Sequence, residues 1–149
     1  METLSVLYDA ECGLCSTVRR FLEQQPAYVP LHFIPLQHPD LAQMFPGIEA
    51  YRPDQELLVI RSTGEVYVGG GAWLMCLWAL ADYREWSVRL ATPALLPLVR
   101  RFCTLVSSNR LSLSSLLRLA SDAQLARLIT TPPAQRCAGN TCPSGCLSE

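Results

Sequence analysis

The sequence predicts an α/β fold: a small mixed sheet of about four strands flanked by helices, with a helical C-terminal extension. Two observations carry this. Short β-rich runs alternate with helix-periodic segments in the order β-α-β-α-β-β-α, and the chain beyond Asp82 turns leucine-rich and helical in pattern. With 149 residues, half of them apolar, the chain has the length of one domain and enough apolar surface for a single core. The expected division is a domain over 1–130, with its C-terminal helices from about 83, and a cysteine-containing tail over 131–149. That tail is rich in Pro, Ala, Gly, Asn and Ser and is expected to be flexible unless its cysteines hold it.

The elements follow in order. Leu4 to Tyr8 is a short apolar run closed by Asp9-Ala10-Glu11, which reads as a buried strand. Leu14, Val18, Phe21 and Leu22 then share one face of a helix that must stop before Pro26. Leu31 to Leu36 reads as a second strand, with Pro35 marking an edge or an end, and a short helix follows near Asp40 to Phe45. Leu57 to Ile60 and Val66 to Val68 flank a short connection containing Gly64, which predicts an antiparallel hairpin. After Gly69-Gly70-Gly71, read as a hinge, a helix from Ala72 to Ala81 would bury Trp73, Cys76, Leu77 and Leu80. Two strands joined through a helix, then a hairpin and a closing helix, give the thioredoxin-like plan. Beyond it, Pro93 to Val106 and Ser112 to Ile129 read as helices, with serines and Asp122 marking ends or breaks.

Composition removes several function classes. Twelve basic and thirteen acidic residues leave a net charge of -1, without the cationic footprint of a nucleic-acid binder. Every basic residue is an arginine, so a Walker-type phosphate loop, a pyridoxal Schiff base and a lysine nucleophile are excluded. Two histidines, His32 and His38, are too few for a His-rich zinc hydrolase, and neither adjoins a cysteine. The longest charge-free stretch, Val66 to Ala81, is shorter than a spanning helix, so no integral membrane segment is expected. The opening residues lack the basic and apolar regions of a secretory signal, which makes a cytoplasmic setting the expectation. In a reducing compartment the seven cysteines read as catalytic, redox-sensing or metal-binding rather than as a static disulfide framework.

Cys12-Gly13-Leu14-Cys15 falls between the first strand and the first helix. Disulfide exchange needs a stabilised thiolate and a second thiol close enough to resolve the mixed disulfide. Cys12 would stand at the first turn, where free N–H groups and the helix dipole stabilise a thiolate, and is the expected exposed nucleophile. Cys15, on the inward face with Val18 and Leu22, is the expected shielded, resolving thiol. The alternative is that both are packing or loop thiols. Asp9 and Glu11 oppose a thiolate, while the helix terminus and the more distant Arg19 and Arg20 favour it. Gly13 and Leu14 place no cation between the sulfurs, so the expected potential is nearer thioredoxin's, about -270 mV, than a strong oxidant's, about -120 mV. Asp9 reads as a turn or capping residue, with a part in proton transfer as the alternative.

Asp9-Ala10-Glu11-Cys12-Gly13-Leu14-Cys15 resembles the signature of the DCC family of predicted thiol-disulfide oxidoreductases, Asp-Gly-x-Cys-x-x-Cys after a short strand. The likeness extends through Gly64-Glu65, Gly71-Ala72 and the stretch from Leu96-Pro97 to Asn109-Arg110, and departs at Ala10, where the family carries glycine. It implies a thioredoxin-like fold and redox activity. Thioredoxins also carry a cis-proline before the strand facing the cysteine pair; that position falls near Glu56, and the nearest proline is Pro53.

The implied partners are a disulfide-containing protein or small-molecule substrate and a thiol electron donor, with no cofactor required. The competing class is a non-catalytic thioredoxin-like or zinc-stabilised interaction module. Cys137, Cys142 and Cys146 admit three readings: a second thiol relay, three ligands of a zinc site at a non-standard spacing, or an inert tail. Cys76, Cys103, Trp73, Trp78, Trp86 and Met75 read as packing residues.

Overall fold

The structure, a computed structural model, describes residues 2–129. Cys137, Cys142 and Cys146, and with them the readings of the tail, lie outside the described residues. The elements are β1 (Leu4–Tyr8), α1 (Gly13–Glu23), β2 (Leu31–Pro35), α2 (Leu41–Met44), a 3₁₀ turn (Ile48–Tyr51), β3 (Leu58–Arg61) and β4 (Val66–Val68). Five helices follow: α3 (Gly70–Ala79), α4 (Arg84–Leu90), α5 (Leu96–Ser108), α6 (Arg110–Leu116) and α7 (Asp122–Ile129). None of these helices is long and apolar enough to cross a membrane.

The sheet order is β2-β1-β3-β4. β1 runs parallel to β2, with Val6 opposite Phe33, and antiparallel to β3, with Val6 opposite Val59; β3 and β4 form the antiparallel hairpin. Gly64 closes that hairpin at a φ of +94°, a conformation side-chain-bearing residues rarely adopt. Because side chains alternate across a strand, the two central strands feed two cores. Leu4, Val6 and Val59 face Leu22 of α1 and Ala72, Cys76 and Ala79 of α3. Leu7, Leu58 and Ile60 face Ile48, with Phe45 and Leu41 packed against them. This is the mixed sheet with flanking helices expected of a thioredoxin-like domain, and the parallel β1-α1-β2 crossover sets the start of α1 at the end of the central strand.

Two expectations need correction. Gly69-Gly70-Gly71 is not a hinge ahead of the helix: Gly69 bends the chain at a φ of +55°, its carbonyl accepts the first helical bond from the Trp73 N–H, and α3 already begins at Gly70. A Cβ on Gly70 would press on the backbone of Arg100 in α5, so glycine there permits close helix packing. Trp86, expected to pack, is 58% exposed and lies under the Arg89 guanidinium instead.

The C-terminal region is also more divided than the leucine pattern suggests. The helix expected from Ser112 to Ile129 is interrupted between α6 and α7, where Arg118 takes a φ of +51°. Ser121 and Gln124 then exchange hydrogen bonds, each side chain holding the other's backbone N–H at 3.1 Å, a capping box that starts α7. Asp122 ties this start to α1. It pairs with Arg20 at 2.8 Å and with Arg19 at 3.0 Å, accepts the Tyr8 hydroxyl at 3.1 Å, and its N–H donates to the buried Ser16 hydroxyl at 3.0 Å. The Ala123 N–H reaches back to the Ala10 carbonyl. Asp122→Ala should therefore loosen α7 from α1, lowering stability by about 1–2 kcal/mol in urea unfolding and speeding amide exchange over 119–129; unchanged exchange there would refute the clamp.

Candidate active site

The chain leaves β1 through a tight turn that Asp9 builds. Its Oδ1 accepts the Glu11 N–H at 3.0 Å and the Gln37 side-chain amide at 2.9 Å, and its carbonyl accepts the Cys12 N–H. Asp9 thus has the turn role expected of it. Ala10 fits without strain, since Arg52 and Arg118 are the non-glycine residues described at positive φ.

Cys12 is the N-cap of α1, with extended backbone at φ -88° and ψ 117°. Its sulfur takes the place of the usual capping oxygen and accepts the Cys15 N–H at 3.3 Å. One helical turn on, Cys15 comes within 2.9 Å of Cys12, and both are free thiols. The Cys15 S–H donates to the Cys12 sulfur, and this bond is the main reason the Cys12 thiol is pulled down to about 6. Burial opposes the shift; the Cys15 N–H, the positive charge of Arg110 and the Leu14 N–H reinforce it. Cys15 is pushed upward for the complementary reasons, first its bond to Cys12, then burial and the neighbouring thiolate. The two shifts run in opposite directions, which favours the negative charge on Cys12 and the remaining proton on Cys15.

The positive charge comes from an unexpected place. Arg19 and Arg20, the basic residues near the motif in sequence, are taken up by Asp122, and Arg19 also by Glu23. Arg110, at the start of α6, supplies the charge instead. It pairs with Asp9 Oδ2 at 3.3 Å, which offsets that carboxylate, and it donates to the Asp54 carbonyl. In the sequence Arg110 ends the stretch that resembles the family, and nothing local marks it for a role at the cysteine pair.

The accessibility expected of the two sulfurs is reversed. Cys12 is fully buried, whereas Cys15 is only partly covered and lines a cavity. Next to Cys12 the C-terminal extension folds onto the start of α1: a Cβ on Gly13 would collide with the Ser114 hydroxyl and the Leu119 carbonyl. The same cavity is bordered by Pro53, Gln55, Glu56 and Leu57, the segment before β3 where thioredoxins place their proline. Among the described residues no peptide bond is cis.

The remaining candidates sit apart. Cys76 is buried in α3, where burial pushes its thiol up to about 12, and Cys103 is buried and also raised. His32 is exposed on β2, and His38 accepts the Asp40 N–H. Among the described residues no group of three His, Cys, Asp or Glu is placed to hold a metal. Cys15→Ala removes the donor that most stabilises the Cys12 thiolate, so thiolate absorbance at 240 nm, rising near pH 6 in the parent, should rise at a clearly higher pH. An unmoved midpoint would refute the shared proton.

In comparison with known proteins, the family described as DCC1-like thiol-disulfide oxidoreductase matches residues 6–116, which span β1 to the end of α6. No curated protein and no solved structure matched.

Proposed function

Since the chain belongs to the DCC1-like thiol-disulfide oxidoreductase family, we propose that its Cys12-Gly13-Leu14-Cys15 motif exchanges disulfides, with Cys12 as nucleophile and Cys15 as resolving thiol. The observation that carries this is geometric: the Cys12 sulfur caps α1, accepts the Cys15 N–H at 3.3 Å and lies within 2.9 Å of Cys15, contacts that pull the Cys12 thiol down to about 6. In the reductive direction the Cys12 thiolate attacks one sulfur of a substrate disulfide. The substrate S–S bond breaks, one product thiolate leaves and takes a proton from water, and a mixed disulfide remains on Cys12. Cys15 then gives up its proton and attacks the Cys12 sulfur, forming the Cys12–Cys15 disulfide and releasing the second product as a thiol. Two electrons pass from the protein dithiol to the substrate, and an external thiol donor restores the pair. No cofactor takes part.

Asp9, Gly13 and Leu14 support this chemistry in distinct ways. Asp9 fixes the turn and anchors Arg110; Gly13 leaves room for Ser114 and Leu119; the Leu14 N–H favours a thiolate on Cys12. A thiol near 6 lies closer to thioredoxin's, about 7, than to the strong oxidant's, about 3.5. A reducing, cytoplasmic setting belongs to the same reading, because such a pair stays in the dithiol form there. Equilibration of the pair against a glutathione series should give a potential nearer about -270 mV than about -120 mV; a value above about -170 mV would overturn this.

The burial of Cys12 is the one observation favouring the competing reading, a non-catalytic interaction module. Activity separates the two. Cys12→Ser should abolish reduction of insulin or of a small disulfide coupled to dithiothreitol, and Cys15→Ser should accumulate a covalent adduct visible by mass spectrometry. A module predicts no turnover by the parent and no adduct.

A further inference from the structure

Beside the cysteine pair lies a cavity of about 90 Å³, the feature that the exchange chemistry alone leaves unused. Its wall is almost wholly apolar, built from Leu14 and Val18 of α1, Phe33 of β2, Trp73 of α3 and Val106 of α5, with Cys15 contributing the thiol. Four charged residues border it, Asp9, Arg19, Glu56 and Arg110; Asp9 and Arg110 are paired with each other at 3.3 Å, and Arg19 is paired with Glu23 and Asp122. The lining also includes the exposed Gln55, which marks the side open to solvent.

We infer that this cavity is a substrate subsite that receives a compact apolar arm of a disulfide, selecting small alkyl disulfides over those with polar or charged arms. The inference rests on the exchange reading above and adds the substrate class to it. Three observations carry it. A wall whose exposed surface is almost wholly apolar offers little hydrogen bonding to a hydroxyl, ammonium or carboxylate, so an arm bearing one loses most of its hydration without compensation. The cavity, open on the side of Gln55, has room for an arm of a few methylenes. Finally, the cavity meets the pair at Cys15, within 2.9 Å of Cys12, so an arm seated there brings its disulfide to the partly covered member of the pair.

The electrons and atoms balance as in the general scheme. Dipropyl disulfide accepts two electrons and two protons to become two molecules of propanethiol, the Cys12–Cys15 disulfide forms, and dithiothreitol reduces it again.

The test compares dipropyl disulfide with bis(2-hydroxyethyl) disulfide, which has the same number of heavy atoms in each arm, each rate normalised to the uncatalysed reaction with dithiothreitol. The reduced full-length protein should show kcat/KM about tenfold or more higher for dipropyl disulfide. Val106→Phe, which fills the far wall from Cys15, should bring the ratio of the two close to one. Dipropyl sulfide, with the same arms and no S–S bond, should inhibit competitively, and it decides the matter if Val106→Phe fails to fold. Equal rates for the two disulfides, a ratio unchanged in folded Val106→Phe, or absence of inhibition would overturn the subsite while leaving disulfide exchange standing. Turnover of neither disulfide would overturn the exchange reading beneath it.

Discussion

The hydrogen bonds that end on the Cys12 sulfur hold the architecture and the chemistry together. A helix start leaves N–H groups without partners, and a serine, threonine or aspartate oxygen usually meets them. Here a sulfur does, so the atom that begins α1 is the atom that carries the charge. Everything around it follows from that demand. β1 sets the start of α1 in place, Asp9 shapes the turn so that Cys12 adopts extended backbone, and the helix returns Cys15 to the same sulfur one turn later. A proton donor and a thiolate held this way need no imidazole, which fits a chain whose two histidines lie elsewhere.

The sulfur's environment is a balance of opposing effects. Full burial would normally keep a thiol protonated. At Cys12 the bond from Cys15 outweighs it, with help from the Cys15 and Leu14 N–H groups and from Arg110. Cys76 is the contrast: set deeper in the protein, with burial alone acting on it, its thiol is pushed up to about 12. The two cysteines thus differ both in depth and in the hydrogen bonds that reach the sulfur. The same comparison explains why Arg110 pairs with Asp9, since an unpaired carboxylate at that turn would work against the thiolate.

What was legible in the sequence was what local pattern encodes. β1, α1, the Gly64 hairpin and β4 follow from alternation, a 3.6-residue period and a glycine at positive φ, and the Cys-x-x-Cys spacing at a helix start named the pair before any coordinates. Contacts across about a hundred residues were not legible. Arg110, Ser114 and Leu119 meet the motif through tertiary packing, and Arg110 looks in sequence like any surface arginine. For the same reason the covered and the accessible sulfur were interchanged: helix periodicity tells which face Cys15 shares with Val18, but not that a later segment closes over Cys12. Arg19 and Arg20 were close in sequence, yet Asp122 claims them.

The clamp between α1 and the start of α7 has a further consequence, for biosynthesis. Asp122 lies more than a hundred residues beyond the arginines it binds, so on the ribosome the sheet and the cysteine motif emerge long before their cover is made. Until α6 and α7 leave the exit tunnel, Cys12 is an uncovered sulfur at the head of a nascent helix, open to passing oxidants and to other unfinished chains. Order of translation, then, leaves the reactive end of this molecule exposed first and sheltered last.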